Sequence, residues 1–384
     1  DLIIPESVIS IGKYAFYNCY GFTGNLNIPK DVYIIDEYAF YNCYGFTCNL
    51  IFPDEMITIG NHSFYNCYGF DGTLTLSTNI QMIHDYSFYN CKGFTGTLDL
   101  KNVEIIGDYS FYGCSGFNGN LKSEKTKIIS DYAFKECFNF IGELRLPNEL
   151  TYVGSYAFSE CSKFNSLYLP INLEFIGSYA FKNCSGFTGS LTIPKSIKTI
   201  ENYTFSGCTG FKSFSNLADI VTTIKEGAFY DCTGIKGSLI LRSVKTIGKF
   251  AFYNCINVNS IELRDTTSID EKAFYNCKKL TGTLSIPDSI ETIGELAFGE
   301  TNYDKISYSG GGFVCGSNVF TNDPNIDVND NFHKQDICGV SIIKPTKPPN
   351  NNNSQKTIII VVVIVIIIVV IIIVIVVVCL LKKR

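Results

Sequence analysis

Twelve cysteines recur along this 384-residue chain: Cys19, Cys43, Cys67, Cys91, Cys114, Cys137, Cys161, Cys184, Cys208, Cys232, Cys255 and Cys277, at intervals of 22 to 24 residues. Each follows a phenylalanine by three places, from Phe16 to Phe274, and Phe298 keeps the spacing without a cysteine. So many thiols could hold metal, run redox chemistry or cross-link. Metal ligation, however, needs short C-x-x-C pairs joined by histidine. Here one thiol falls per repeat, and only His62, His84 and His333 exist. Cysteine is also a small hydrophobe, among the most often buried of all residue types. The expectation is therefore a buried structural column of thiols, with no metal and no cofactor. Disulfides between neighbouring repeats are disfavoured, because equivalent Cβ vectors in stacked units point the same way. Cys315 and Cys338 lie outside the pattern, and a disulfide between them is expected if the compartment is oxidising. Cys48, where other repeats carry the turn glycines Gly24 and Gly72, reads as a free thiol.

The elements that position these cysteines follow from the period. Self-similarity every 20 to 50 residues marks supersecondary units that cannot bury an apolar face alone and must stack. The unit is legible in LTIPKSIKTIENYTFSGC, residues 191–208. Leu191 and Ile193 alternate with Ser190 and Thr192 as a half-buried strand stopped by Pro194. Ile197 and Ile200 form a second apolar pair, Phe205 and Cys208 are spaced for one helical turn, and Gly210-Phe211 reverses the chain. The Leu series (Leu26, Leu50, Leu74 onward) and the Ile series (Ile11, Ile35, Ile59 onward) each predict one buried column. Thirteen coils at roughly 4.8 Å per parallel strand give a column about 60 Å long.

Phrases such as IPKSIKTIENYTFSGCTGF, LPINLEFIGSYAFKNCSGFTGSLTIP and IPDSIETIGELAF resemble the BspA-like class of leucine-rich repeats, over about residues 1–299. The resemblance implies an α/β solenoid of about 13 coils with a parallel sheet on its concave face. It also implies a cell-surface antigen that binds host components, matrix proteins or other microbes, and no catalytic residues. Local departures occur at Ser213–Asn216 and Lys122–Glu124.

On that fold the positions between buried strand residues project from the sheet: Asn27, Ile51, Thr75, Asp99, Lys122, Arg145, Tyr168, Thr192, Ser215, Ile240, Glu262 and Ser285. They change from coil to coil while the core columns do not. Asp99, Lys122, Arg145 and Tyr168, with Glu262 further along, are the candidate ligand-binding residues for a protein or glycan. The competing reading is a solvated face with no dedicated ligand. A tyrosine series, Tyr17, Tyr41, Tyr65, Tyr89 and Tyr112, resuming at Tyr230, Tyr253 and Tyr275, could also bind a partner. Stacking of equivalent rings on one another is the expected role. Sequons at Asn61, Asn183, Asn202 and Asn352 permit N-glycosylation if the repeats are extracellular, although Asn183 lies beside a column cysteine.

Beyond the repeats, residues 300–340 lose the pattern and are expected to cap the column. Asp323, Asn325 and Asp327 alternate like the start of a calcium loop, but Val328 and Lys334 replace the glycine and glutamate it requires. Residues 341–357, rich in Pro and Asn, form a stalk. From Ile358 to Val378 every residue is Ile or Val, followed by Cys379, Leu380 and Leu381. These apolar residues, 358–381, span about 36 Å as a helix and are expected to cross a membrane. Lys382, Lys383 and Arg384 then form a basic cytoplasmic tail, though Lys344, Lys347 and Lys356 balance them on the other side. The chain starts mid-repeat at Asp1 without a methionine and reads as a fragment or processed product.

A net charge of −5 gives no electrostatic reason to bind nucleic acid. No nucleophile–histidine motif or phosphate loop appears, so an enzyme is not expected. The leading reading is a single-pass surface adhesin with its repeats outside the cell. The alternative is a tail-anchored intracellular scaffold for protein interactions.

Overall fold

The computed structural model describes residues 1–322, 324–328 and 336–341. Every repeat makes one turn of a parallel β-solenoid of about 14 turns. Each turn has three faces, and all three hydrogen-bond to the next coil. The Ile series forms fourteen two-residue strands, from Ser10–Ile11 to Val314–Cys315, assembled into parallel sheets of three, five and six strands. The register never slips: Ile11 opposes Ile35, Ile35 opposes Ile59, and Ile129 opposes Val153. The Leu series also forms parallel strands, but most of them join only in pairs, such as Leu98–Asp99 with Leu121–Lys122 and Glu143–Arg145 with Ser166–Tyr168. The sequence predicts one strand in each coil; from Leu50 onward the structure has two, and the unpredicted one carries the longer sheets.

The third face corrects the α/β expectation. Among the described residues the only α-helix is Leu217–Ile220. Between the Ile strand and the cysteine the chain instead runs through overlapping turns in which amide donors alternate. Ala15, Tyr17 and Cys19 donate within the coil to Gly12, Tyr14 and Phe16, while Tyr14, Phe16 and Asn18 donate to Glu37, Ala39 and Tyr41 of the next coil. A helix would turn every donor inward and leave the coils unlinked on this side. Alternation requires two left-handed residues per coil, for example Tyr14 (φ 59°) and Asn18 (φ 58°). The Phe-to-Cys spacing of three is shared by a helical turn and a β-turn, so periodicity alone could not separate them.

Inside, Phe16 to Phe298 stack ring on ring with centroids 5.0–5.7 Å apart, and Phe320 extends the stack. From Phe40 to Phe298 the rings are fully buried, each contributing about 2–3 kcal/mol of apolar transfer free energy. The coil pattern also runs past residue 299, where a cap was expected. Asn302–Tyr308 pairs in parallel with Thr281–Ile286 and then with Asn325–Val328. Lys305 and Asp327 lie 2.7 Å apart across that pairing, so this acidic residue serves the sheet. A short antiparallel hairpin, Asp336–Ile337 with Val340–Ser341, follows. Among the described residues no helix is long and apolar enough to cross a membrane; the stalk, the expected span at 358–381 and the basic tail lie outside them.

Candidate recognition face

From Cys43 to Cys277 every column cysteine is buried and free; Cys19, in the first coil, is half-buried. Each buried Sγ faces the carbonyl of the phenylalanine one coil back: Cys43 donates to Phe16 (2.9 Å), Cys67 to Phe40 (3.0 Å) and Cys277 to Phe252 (3.2 Å). Burial pushes the Cys43 and Cys277 thiols up to about 12 and also raises those of Cys91, Cys184 and Cys255. A thiol held protonated is neither a nucleophile nor a metal ligand. Among the described residues no cluster could hold a metal ion. Cys48 is exposed and free, whereas Cys315 and Cys338 are joined, with Cα atoms 5.3 Å apart, tying the hairpin to the last strand of the Ile sheet.

The outward row of the Leu strands is exposed at ten of its twelve positions, Ser215 and Ile240 being half-buried. The candidate residues divide into three groups. Asp99 and Lys122 oppose each other in register and form an exposed ion pair at 3.8 Å. A groove of about 470 Å³ opens beside them, lined by Thr75, Leu76, Ser77 and Lys101. Arg145 opposes Tyr168 and lays its guanidinium over that ring at 4.6 Å, while two of its nitrogens donate to Glu143 at 3.0 Å. The strands carrying Lys122 and Arg145 belong to separate two-stranded sheets. Glu262 stands apart and accepts from Arg242 at 2.7 Å, which holds its carboxyl below the usual range. Exposed pairs of this kind are screened by solvent and contribute little, so a partner can exchange them at small cost.

The tyrosine series stacks as expected, with Tyr41 and Tyr65 at 4.6 Å and Tyr65 and Tyr89 at 4.5 Å. A longer column beside it went unread in the sequence. Tyr14, Tyr38, His62, Tyr86, Tyr109, Tyr132, Tyr156, Tyr179 and Tyr203 stack continuously at 4.4–5.0 Å. The signal was present two places before each phenylalanine, but His62 interrupts it and left-handed tyrosine is not an expected choice. In both columns the ring faces are spent on neighbouring rings.

The sequons are woven into the coil-to-coil bonding. The Asn61 and Asn202 side-chain oxygens accept from the amides of Asp85 and Glu226, and Asn183 donates to Glu160. Ser63 and Thr204, the third residues of two sequons, are buried. Asn352 lies outside the described residues.

The crystal structure of a leucine-rich repeat protein from Bacteroides ovatus is similar to this chain at 25% identity, covering 85% of this chain and 86% of that one, with a TM-score of 0.70. A leucine-rich cell surface protein from Faecalibacterium prausnitzii is 24% identical over 67% of this chain and 69% of its own, with a TM-score of 0.45. No curated protein matches. The family described as the BspA type leucine-rich repeat region (6 copies) matches over residues 1–118, 83–212, 127–248 and 210–327. The two strands and one turn face that recur along the coils are this repeat, and the chain belongs to the BspA-type leucine-rich repeat family.

Proposed function

We propose that the chain is a cell-surface adhesin or antigen that binds proteins or glycans of a host, a matrix or another microbe through the outward row of its Leu strands. The observation that carries this reading is the contrast between columns. Core positions repeat Leu, Ile, Phe and Cys, whereas the outward row runs Thr75, Asp99, Lys122, Arg145, Tyr168 on one exposed edge. Selection for folding alone asks nothing of that edge, and a groove beside Asp99 and Lys122 gives a ligand purchase. Membership of the repeat family supports binding rather than catalysis.

Residues 358–381 anchor the repeats as a single membrane helix, residues 341–357 form the stalk, and residues 382–384 face the cytoplasm. The Cys315–Cys338 disulfide supports placing the repeats on the oxidising side, against the intracellular scaffold. Asn352, in the stalk, is the sequon best placed to carry a glycan, since Asn61 and Asn202 use their side chains between coils. The test is binding of the full chain to immobilised matrix and host-surface proteins, compared with Lys122→Glu/Arg145→Glu. The double variant is expected to weaken capture at least about tenfold; unchanged capture removes this cluster from the reading.

A further inference from the structure

The long aromatic column breaks at one coil. After Tyr203 the equivalent position is Gly227, followed by Phe250, Lys272 and Leu296, all with positive φ. A Cβ at Gly227 would come within 2.2 Å of the Tyr203 ring, so that ring, still stacked on Tyr179, lies against the glycine and stacks on no further ring. Its hydroxyl donates to Glu226 at 3.0 Å. Beyond the gap the neighbouring column restarts, with Tyr230 on Tyr253 at 4.8 Å and Tyr253 on Tyr275 at 5.3 Å. Phe250 has no ring at the equivalent position in either adjoining coil and stands nearly perpendicular to Tyr230 (85°) and Tyr253 (82°). The result is a cavity of about 460 Å³ lined by Tyr203, Tyr230, Phe250, Tyr253, Lys272 and Tyr275.

We infer that this cavity is a binding site for an uncharged sugar ring. Its volume lies within the range of small-molecule sites, which join apolar walls to a few placed polar groups. Phe250, which has no ring stacked on it, gives an apolar wall suited to the C–H face of a pyranose. Its hydroxyls need donors and acceptors together, which the Lys272 ammonium and the tyrosine hydroxyls of the lining supply. Charge selects against an anionic ligand. Lys249 and Lys272 share Glu271 at 2.8 and 3.1 Å, and Glu226 and Glu295 also act on Lys249, so three carboxylates face two ammonium groups. A cationic ligand would also compete with Lys249 and Lys272, whose ammonium groups already lie over Phe250 at 4.9 and 5.8 Å. This site is on the turn face and is independent of the strand-face reading.

The experiment is a screen of neutral and acidic oligosaccharides against the full chain in lipid nanodiscs, read by saturation-transfer NMR. Lys272→Tyr restores the ring that the other coils carry at this position and fills the cavity; Lys272 and Tyr203 share φ 53°, so the backbone already suits tyrosine. Phe250→Leu removes an aromatic wall without filling the space. At least one neutral oligosaccharide is expected to bind, and each variant is expected to weaken it at least about tenfold while melting near the wild-type temperature. Binding of acidic glycans alone, binding undiminished in Lys272→Tyr, or no binding of any neutral sugar overturns the assignment.

Discussion

At Thr301 the thiol column keeps its burial but changes its chemistry and its partner, from the phenylalanine carbonyl one coil back to the one in its own coil. This residue follows Phe298 by three places and is buried like the cysteines, and its hydroxyl donates to the Phe298 carbonyl at 2.7 Å. What the position demands is a small side chain with a donor, not sulfur. Cys161→Ser is therefore expected to cost less than about 1 kcal/mol, and Cys161→Val about 1–3 kcal/mol through overpacking and loss of the bond to Phe134, as measured by urea unfolding. Thiol titration of the native chain should find Cys48 reacting fast and the buried column only on denaturation. His62 makes a second case: stacked at 4.6 Å between Tyr38 and Tyr86, it has its proton affinity lowered by burial. Its contribution is whole above the unfolded histidine value near 6.5 and falls away as acid protonates it. His62→Tyr is expected to flatten the acid limb of a melting-temperature profile below that pH. The cysteine period was readable because one residue type repeated at one spacing. The nine-ring column was not, because one of its members is histidine.

At the scale of the element, the turn face shows where reading by period ends. Both apolar series were visible, but only the Leu series read as a strand, and ten of the twelve outward positions are exposed as expected. The turn face was mistaken for a helical turn because hydrophobic spacing reports which side chains are buried, not which amides bond outward. The pairing of Asp99 with Lys122 and Arg145 with Tyr168 needed the register, which no single repeat contains. Phe134→Ala tests the element directly. It leaves a cavity between Phe111 and Phe158 and is expected to cost about 3–5 kcal/mol. Since each coil touches only its neighbours, hydrogen exchange should accelerate around residues 111–158 and much less near Ile293.

For the whole molecule, the stacked thiols predict a pH dependence of their own. Burial raises them, so the folded state holds these protons more tightly than the unfolded one. Stability is full below about pH 9 and is lost from there to about 12, the value reached by Cys43 and Cys277. The slope is about 1.4 kcal/mol per pH unit for each thiol, steeper than tyrosine ionisation alone gives a solenoid lacking them. Circular dichroism against pH checks it. The central claim, however, is that these coils stand outside the cell as a recognition surface. Cys48 offers a direct reporter, being exposed while Cys19 is half-buried and the column cysteines from Cys43 to Cys277 are buried. Intact cells expressing the chain are treated with a membrane-impermeant maleimide, with Cys48→Ser as control. Labelling of intact cells that disappears in Cys48→Ser is the predicted result; labelling that requires permeabilised cells contradicts the account.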